Sequence, residues 1–229
     1  MRVKRLFGGL LSAALLGLVP VSLATVSAEA ATVMPTTLSG QISVAKAKYG
    51  SSFYISGKIN SAAGYPKGTV TLKRKLASES AFKTIGTYES YGSWGFYNLK
   101  AVGNASYQVS YSGGSDSGSN PTYTYSASAV TTNQKVMRDL GDTISRTTLK
   151  GKVKPDYKKK KVTIQVKATK KGKWKKFATV KTNKKGKWAK KLPAKSKCTY
   201  WRAFAKGDKK FVKSFSNYSY YTVRGYKSC

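Results

Sequence analysis

The stretch KKVTIQVKA, from Lys160 to Ala168, decides the fold of this chain. Apolar residues occupy every second position from Val162 to Ala168, and polar residues stand between them. A period of two with β-branched residues on one side predicts a β-strand that buries one face. The strand lies within residues 158–191, where sixteen of thirty-four residues are lysine and none is acidic.

This lysine-rich segment is predicted to fold. Disordered chains usually lack aromatic and β-branched residues, whereas this segment carries Trp174, Phe177, Val180 and Trp188 at positions that keep the sheet period. We expect these four side chains to contribute to a core. The lysines then occupy solvent-facing positions and turns.

The chain contains two copies of one unit. Five segments of the first half recur, in the same order, in the second half. The pairs are ISGKIN at Ile55 with LKGKVK at Leu149, GTVTLKRK at Gly68 with KKVTIQVK at Lys160, FKTIGTY at Phe82 with WKKFATV at Trp174, GSWGFYNL at Gly92 with GKWAKKLP at Gly186, and SYQVSYSGG at Ser106 with TYWRAFAKGD at Thr199. Small shifts between the anchors fall in turns, so the sequence predicts tandem domains of about 95 residues.

The N-terminal segment has the anatomy of a secretory signal peptide. Basic residues precede a long apolar run, and AEA at 28–30 is a small-x-small cleavage site. A membrane anchor is the alternative, since the apolar run is long. No later stretch reaches the roughly 18 apolar residues needed to span a bilayer. We therefore expect a protein that is secreted, extracellular or loosely associated with the cell envelope.

The domain plan follows from the repeat and the leader. We expect a signal peptide at 1–30, a short segment at 31–37, and domains at 38–130 and 131–229. Turn signals recur roughly every ten residues, which predicts an all-β sandwich for each domain. Protease access is expected between about Ser128 and Asp142, around the boundary, or in the SGGSDSGSN loop at 112–120.

The pattern of the second copy resembles the immunoglobulin-like repeat domains of exported Gram-positive bacterial proteins. The residues that carry the resemblance are Gly151, Val162, Trp174, Gly186, Trp188, Leu192 and Tyr200. It spans about residues 38–225, and the first copy departs from it with Phe82 in place of the tryptophan. The resemblance implies two tandem immunoglobulin-like β-sandwiches that act as spacers, adhesive modules or ligand-binding modules, with no shared catalytic motif.

Charge is distributed unevenly between the copies. Residues 32–130 hold nine lysines and arginines and three acidic residues, whereas residues 131–229 hold thirty-one and four. The repeat itself does not require the lysines, because the first copy lacks them. One explanation for the lysines of the second copy is that they only keep the protein soluble. The alternative is a specific role in nonspecific binding of polyanions, since phosphate polymers bind lysine arrays through counterion release.

The predicted polyanion-binding surface consists of lysines from the lysine-rich segment. They are Lys158, Lys159, Lys160, Lys161, Lys170, Lys171, Lys173, Lys175, Lys184, Lys185, Lys187, Lys190 and Lys191. The expected partners are cell-wall polymer, nucleic acid bound without sequence preference, and acidic polysaccharide. Lysine is a mobile point charge, which favours sensing of charge density over base readout.

Tyrosines supply an alternative function. Tyr218 and Tyr220, and likewise Tyr123 and Tyr125, stand two residues apart and would share a strand face. Exposed rings could stack on sugars or bases, so the chain could be an immunoglobulin-like spacer or carbohydrate-binding module. Ordinary strand packing is the competing explanation for these tyrosines.

Enzymatic activity is not expected. The chain has no histidine, eight acidic residues and no recognisable nucleophile motif, so the commonest general base and metal ligand is missing. No cofactor or metal site is predicted. The two cysteines, Cys198 and Cys229, are expected to form a disulfide in an exported protein. A free thiol or an intermolecular bridge is the alternative.

Overall fold

The computed structural model describes residues 31–115, 123–195 and 197–221. Throughout these ranges every regular element is a β-strand, so the prediction of an all-β fold is confirmed. No helix in the described part of the chain is long and apolar enough to cross a membrane. The expected signal peptide, residues 1–30, lies outside the described residues.

The first sandwich is built from two facing sheets and one small sheet at its end. One sheet has the strand order β2–β4–β7, the facing sheet has the order β6–β5–β8–β11–β3, and the small sheet has the order β1–β10–β9. The strands are β1 (Thr32–Met34), β2 (Thr36–Ile42), β3 (Lys46–Lys48), β4 (Ser52–Ser61), β5 (Lys67–Leu76), β6 (Lys83–Tyr91), β7 (Ser93–Lys100), β8 (Ala105–Tyr111), β9 (Gly114–Ser115), β10 (Tyr123–Tyr125) and β11 (Ser128–Met137).

The second sandwich repeats this topology. Its smaller sheet has the order β12–β13–β16, and its larger sheet has the order β15–β14–β17, with β18 and β19 both paired to β17. The strands are β12 (Asp139–Ser145), β13 (Thr148–Lys154), β14 (Lys161–Lys167), β15 (Lys175–Lys181), β16 (Lys187–Lys191), β17 (Thr199–Ala205), β18 (Ser214–Phe215) and β19 (Ser219–Tyr221). Each half of the chain is therefore an immunoglobulin-like β-sandwich.

The alternating pattern of KKVTIQVKA places one face of β14 in the core. Val162 and Ile164 are fully buried, as are their counterparts Val70 and Leu72 in β5 of the first sandwich. The two cores form around these strands. The local period of two was therefore sufficient to predict which face is buried.

A glycine and a tryptophan pack together at the same place in both sandwiches. Trp188 of β16 lies opposite Gly151 of β13 in the register, and Trp94 of β7 lies opposite Gly57 of β4. Both indoles are buried. A Cβ at Gly151 would lie 2.8 Å from the indole and 2.1 Å from the carbonyl oxygen of Gly141. Glycine is required there because the indole and the neighbouring strand fill the space.

Two aromatic residues expected in the core lie outside it. Trp188 is buried and Val180 packs against the core of the second sandwich, but Trp174 is only half-buried and Phe177 is 37% exposed. Phe177 lies on the edge strand β15 and packs edge-on against Trp201, with ring centroids 5.0 Å apart. The prediction for Trp174 and Phe177 was wrong because turn and edge positions lack a second sheet above them.

The register of the repeat also differs from the sequence alignment at β17. The sequence alignment matched Tyr107 with Tyr200. In the structure, Leu72 of β5 pairs with Val109 of β8, and its counterpart Ile164 of β14 pairs with Ala203 of β17. Val109 and Ala203 are therefore equivalent positions. Trp201 is therefore the counterpart of Tyr107. This shift of one residue moves Tyr200 to the outer face of the sheet, because side chains alternate along a strand.

The two sandwiches meet without a free linker. The strand β11 continues through the expected boundary at 130/131 to Met137, and β12 begins two residues later at Asp139. Phe211, from the loop after β17, is buried in the core of the first sandwich. The backbone N–H of Val212 donates to the carbonyl oxygen of Val136 at 2.9 Å. Hydrogen bonds and apolar packing thus join the halves directly.

Candidate polyanion-binding surface

The predicted lysines lie at the surface of the second sandwich. Twelve of the thirteen are exposed, and Lys190 is half-buried. Within the described ranges only one of them, Lys160, forms an ion pair, with Asp208 at 3.7 Å. The segment is folded and its lysines face solvent. Ion pairs with acidic side chains neutralise almost none of their charge.

A groove on the outer face of the smaller sheet gathers some of these cations. It has a volume of about 780 Å³ and crosses β12, β13 and β16. Small residues of these three strands, Gly141, Gly151 and Ala189, form part of its lining. The lysines that line it are Lys150, Lys152, Lys181 and Lys187.

Cross-strand pairing creates this groove. Lys150 pairs with Ala189 and Lys152 pairs with Lys187 between β13 and β16. Three of the four lining lysines, Lys150, Lys152 and Lys181, were missed by the sequence-based set. The signal was present in LKGKVK, where lysines alternate around Gly151, because alternate residues of a strand share one face.

A second cleft continues the basic surface toward the first sandwich. It has a volume of about 530 Å³ and is lined by Lys154, Lys158, Lys184 and Lys185, together with Tyr49 of the first sandwich. Lys152 lines both the groove and this cleft. The two therefore form one continuous basic path, which we call the lysine path. It consists of Lys150, Lys152, Lys154, Lys158, Lys181, Lys184, Lys185 and Lys187.

The first sandwich has a different surface at the equivalent place. Because Gly57 and Trp94 are the counterparts of Gly151 and Trp188, Ser56 and Ser93 stand where Lys150 and Lys187 stand. The ring of Tyr97 covers the backbone of Gly95, and a Cβ there would lie 2.6 Å from the tyrosine oxygen. The fold therefore permits either surface, since of Lys150, Lys152 and Lys187 only Lys152 has a lysine counterpart, Lys58, in the first copy.

Other predicted lysines do not line the groove or the cleft of the lysine path. Lys170, Lys171 and Lys173 belong to the turn between β14 and β15, and Lys173 and Lys175 line a separate cavity of about 360 Å³. Lys161 pairs with Lys181 across β14 and β15. Lys159 and Lys160 lie in the turn before β14, and Lys190 and Lys191 lie at the end of β16. The structure thus divides the predicted set among several parts of the surface.

The four predicted tyrosines separate into two environments. Tyr125 is buried in the first core, and Tyr123 packs partly buried against that core. The expectation that this pair is exposed for stacking was wrong, because β10 packs against the body of the first sandwich. Tyr218 and Tyr220 are 49% and 52% exposed, so these two rings are accessible to a ligand.

The outer face of the larger sheet carries an aromatic cluster that the sequence did not reveal. The ammonium of Lys167 lies 4.7 Å from the ring centroid of Trp174, 5.4 Å from that of Tyr200 and 5.3 Å from that of Tyr218. The guanidinium of Arg202 lies beside Trp174 on the same face. The residues come from β14, β17 and two loops, so only the folded chain brings them together.

The predicted disulfide is partly outside the described chain. Cys229 belongs to the residues that are not described, so the Cys198–Cys229 bond stays a prediction. The strand that follows Cys198 runs antiparallel to β19, with Thr199 opposite Tyr221. This pairing places Tyr221, the last described residue, beside the start of β17.

Comparison with known proteins finds structural similarity but no family. No family model matches the chain, and no curated protein matches it. A segment of two fibronectin type III domains from chicken tenascin is similar in structure, with 11% identity, a TM-score of 0.46, and coverage of 82% of this chain and 99% of that one. The FN1–FN3 domains of chicken CNTN1 align with 13% identity and a TM-score of 0.30, over 81% of this chain and 64% of that one.

Proposed function

We propose that this chain is an exported, non-enzymatic binding protein whose second sandwich holds anionic polymers by nonspecific electrostatics. The lysine path carries the proposal, since it brings eight lysines from three strands and two turns onto one open surface. Among the residues that line it, only Asp142 and Asp156 are acidic, so the lysines far outnumber the carboxylates. Self-repulsion among these charges costs stability, and a bound polyanion would relieve that cost.

The ligand class follows from the shape and chemistry of the path. It is open and extends over three strands and two turns, so it suits an extended polymer better than a small molecule. Lysine side chains adapt to phosphates at variable spacing because each presents a mobile point charge. The resemblance to repeat domains of exported Gram-positive proteins makes a teichoic-type wall polymer a natural ligand of this kind. Retention at the cell envelope would follow from such binding.

Salt dependence tests the proposal. The purified full chain is titrated with inorganic polyphosphate, DNA and neutral dextran at several salt concentrations. Polyphosphate and DNA should bind and dextran should not. A surface that neutralises about six to ten phosphates loses roughly 10³- to 10⁵-fold in affinity between 50 and 200 mM salt. A flat salt dependence would contradict the proposal.

A matched pair of variants tests the position of the site. The double variant Lys150→Ser, Lys187→Ser installs the residues of the first copy in the groove. The control, Lys170→Ser with Lys171→Ser, removes the same charge from the distant turn. The logarithmic salt slope should fall by about 0.9 for each phosphate that the protein no longer neutralises, and it should fall further in the groove variant. An equal fall in both variants would assign binding to overall charge instead of the lysine path.

A further inference from the structure

The outer faces of the two larger sheets differ in a way that the fold does not require. With Trp201 as the counterpart of Tyr107, the outward residues of β17 are Tyr200, Arg202 and Phe204. The outward residues at the same places in β8 are Ser106, Gln108 and Ser110. The first copy therefore has a small polar face where the second has aromatic rings around a guanidinium.

One contact on this face is common to both copies and belongs to the fold. Lys167 lies over Trp174, and its counterpart Lys75 lies over Phe82 with the ammonium 5.0 Å from the ring centroid. The ammonium of Lys167 also donates to the carbonyl oxygen of Lys170 at 2.5 Å. This lysine is already engaged within the protein. Arg202 is what distinguishes the second copy.

Arg202 is held in one orientation with its terminal nitrogens available. Its guanidinium carbon lies 4.3 Å from the ring centroid of Trp174 and 4.2 Å from that of Phe215. The Nε donates to Oε1 of Gln165 at 2.7 Å. The described residues accept no other hydrogen bond from this guanidinium. Burial lowers the pKa of Arg202, so the cation is partly desolvated and gains from an anionic partner.

Exposed rings adjoin this guanidinium. Tyr218 packs against Tyr200 at a centroid distance of 5.8 Å and lies 6.5 Å from Trp174, yet it is 49% exposed. Tyr220 pairs with Tyr200 across β19 and β17 and is also exposed. The face therefore combines one oriented bidentate donor with open aromatic surface and phenolic hydroxyls.

We propose that this face binds the carboxylated sugar residues of an acidic polysaccharide. Arg202 would hold the carboxylate through its two terminal nitrogens, as planar guanidinium and carboxylate groups do, and Tyr218 would pack against the pyranose ring. This inference deepens the proposed function by adding a shaped site to the nonspecific lysine path. A nucleic acid fits this face less well, because successive phosphates need a row of free cations and Lys167 is already engaged.

The test is carried out at high salt, so that the lysine path does not also bind the acidic polysaccharide. Binding of the full chain to oligogalacturonate and to its methyl ester is measured at a salt concentration at which polyphosphate no longer binds. Oligogalacturonate should still bind, because a partly desolvated guanidinium is screened less than exposed lysines. The methyl ester should not, because it lacks the carboxylate. Equal binding of the ester, or no binding of either, overturns the inference.

Three variants examine the role of Arg202. Arg202→Gln installs the residue of the first copy, and Arg202→Lys keeps the charge but removes the fork. Lys176→Gln is the control, at an exposed position of the edge strand β15, which β14 separates from β17. Both Arg202 variants should weaken oligogalacturonate binding by about tenfold to a hundredfold, the range for a charge-assisted hydrogen bond. Lys176→Gln should change it less than about threefold. Equal effects of Arg202→Gln and Lys176→Gln overturn the inference.

Two further measurements separate the possible failures. Arg202→Lys retains an alkyl stem between the rings, so it remains informative if Arg202→Gln unfolds. DNA and polyphosphate affinities at low salt should be the same in Arg202→Gln and Lys176→Gln. A selective loss of DNA binding in Arg202→Gln would assign the face to nucleic acid and overturn the inference. If wild-type protein binds polyphosphate with a steep salt dependence but lacks the Arg202 effect, only this inference fails and the lysine path stands.

Discussion

Arg138 donates a hydrogen bond from Nη2 to Oδ2 of Asp208 at 2.7 Å, and this ion pair joins the two sandwiches. Arg138 stands between β11 and β12, and Asp208 lies in the loop that sends Phe211 into the first core. The guanidinium carbon lies 4.3 Å from the ring centroid of Phe211 and 5.0 Å from that of Tyr157. The side chain of Arg138 is 2% exposed, so its positive charge is stabilised by these contacts and not by water.

Removing the carboxylate should destabilise the joint. Asp208→Ala leaves a buried guanidinium without its anion, and loss of one partner of a fully buried pair costs about 3–5 kcal/mol. Because the Asp208 side chain is 36% exposed, we expect a smaller fall, about 1–3 kcal/mol in the free energy of unfolding. Chemical denaturation of the full chain measures it. Asp139→Ala is the control, since the side chain of Asp139 forms no ion pair with any described residue, and it should change stability by under about 0.5 kcal/mol.

The same pair should make stability depend on acidity. Burial alone would raise the pKa of Asp208, but hydrogen bonds from Arg138 and from the backbone of Phe211 and Lys210, with the charge of Arg138, lower this pKa below its ordinary value of 3.8. Because the pKa of Asp208 is lower in the folded state, its carboxylate stabilises the fold at pH values above 3.8. This stabilisation is lost as the pH falls through the pKa of Asp208 in the folded state. Denaturation of wild type and Asp208→Asn across acidic pH should give a difference in stability that narrows on acidification. A constant difference would show that Asp208 does not titrate this way.

Glycine should be indispensable beside the buried indole. Gly151→Ala forces a Cβ against the carbonyl oxygen of Gly141 and the indole of Trp188, and overpacking of this kind costs about 1–3 kcal/mol. Gly57→Ala should have the same effect in the first sandwich. Gly141→Ala is the matched control, because a Cβ at Gly141 meets no atom within 4 Å. Equal thermal unfolding of Gly141→Ala and Gly151→Ala would contradict the packing described for Trp188.

Limited proteolysis should spare the segment between the sandwiches. The sequence predicted access between Ser128 and Asp142, but β11 and β12 occupy nearly all of that segment, and proteases require locally unfolded backbone. Trypsin should therefore cut in the turn at 168–174 before it cuts after Lys135 or Arg138. Mass spectrometry of the first fragments identifies the sites. Early cleavage after Lys135 or Arg138 would show that the joint opens in solution.

The Cys198–Cys229 disulfide should stabilise the end of the second sandwich. A closed loop of about thirty residues contributes roughly 3–4 kcal/mol in the loop-entropy model. Reduction should therefore lower the melting temperature, and Cys198→Ser should reproduce the loss without reductant. Intact-mass measurement of the protein purified without reductant should show no free thiol. Two free thiols, or a cysteine-linked dimer, would refute the intramolecular bond.

The repeat and the strand faces could be predicted from sequence because both depend on local spacing. Val162 and Ile164 are buried since alternate residues of any strand share a face, and Trp188 matches Trp94 through the shared order of anchors. The same logic failed at β17, where Tyr200 and Trp201 are adjacent aromatics. A single residue of offset exchanges the core face for the outer face, and only pairing with β14 selects between them.

The surfaces that carry the proposed functions were decided by tertiary structure. Lys150 and Lys187 are far apart in the chain and share a groove because β13 pairs with β16. Arg202, Trp174 and Phe215 meet because a strand and two separate segments converge on one face. The sequence by itself determined the charge, the two copies and the buried face of strands with a clear alternation such as β14, since these follow from composition and period. Which charges and rings stand together depends on long-range strand register, and no local pattern encodes it.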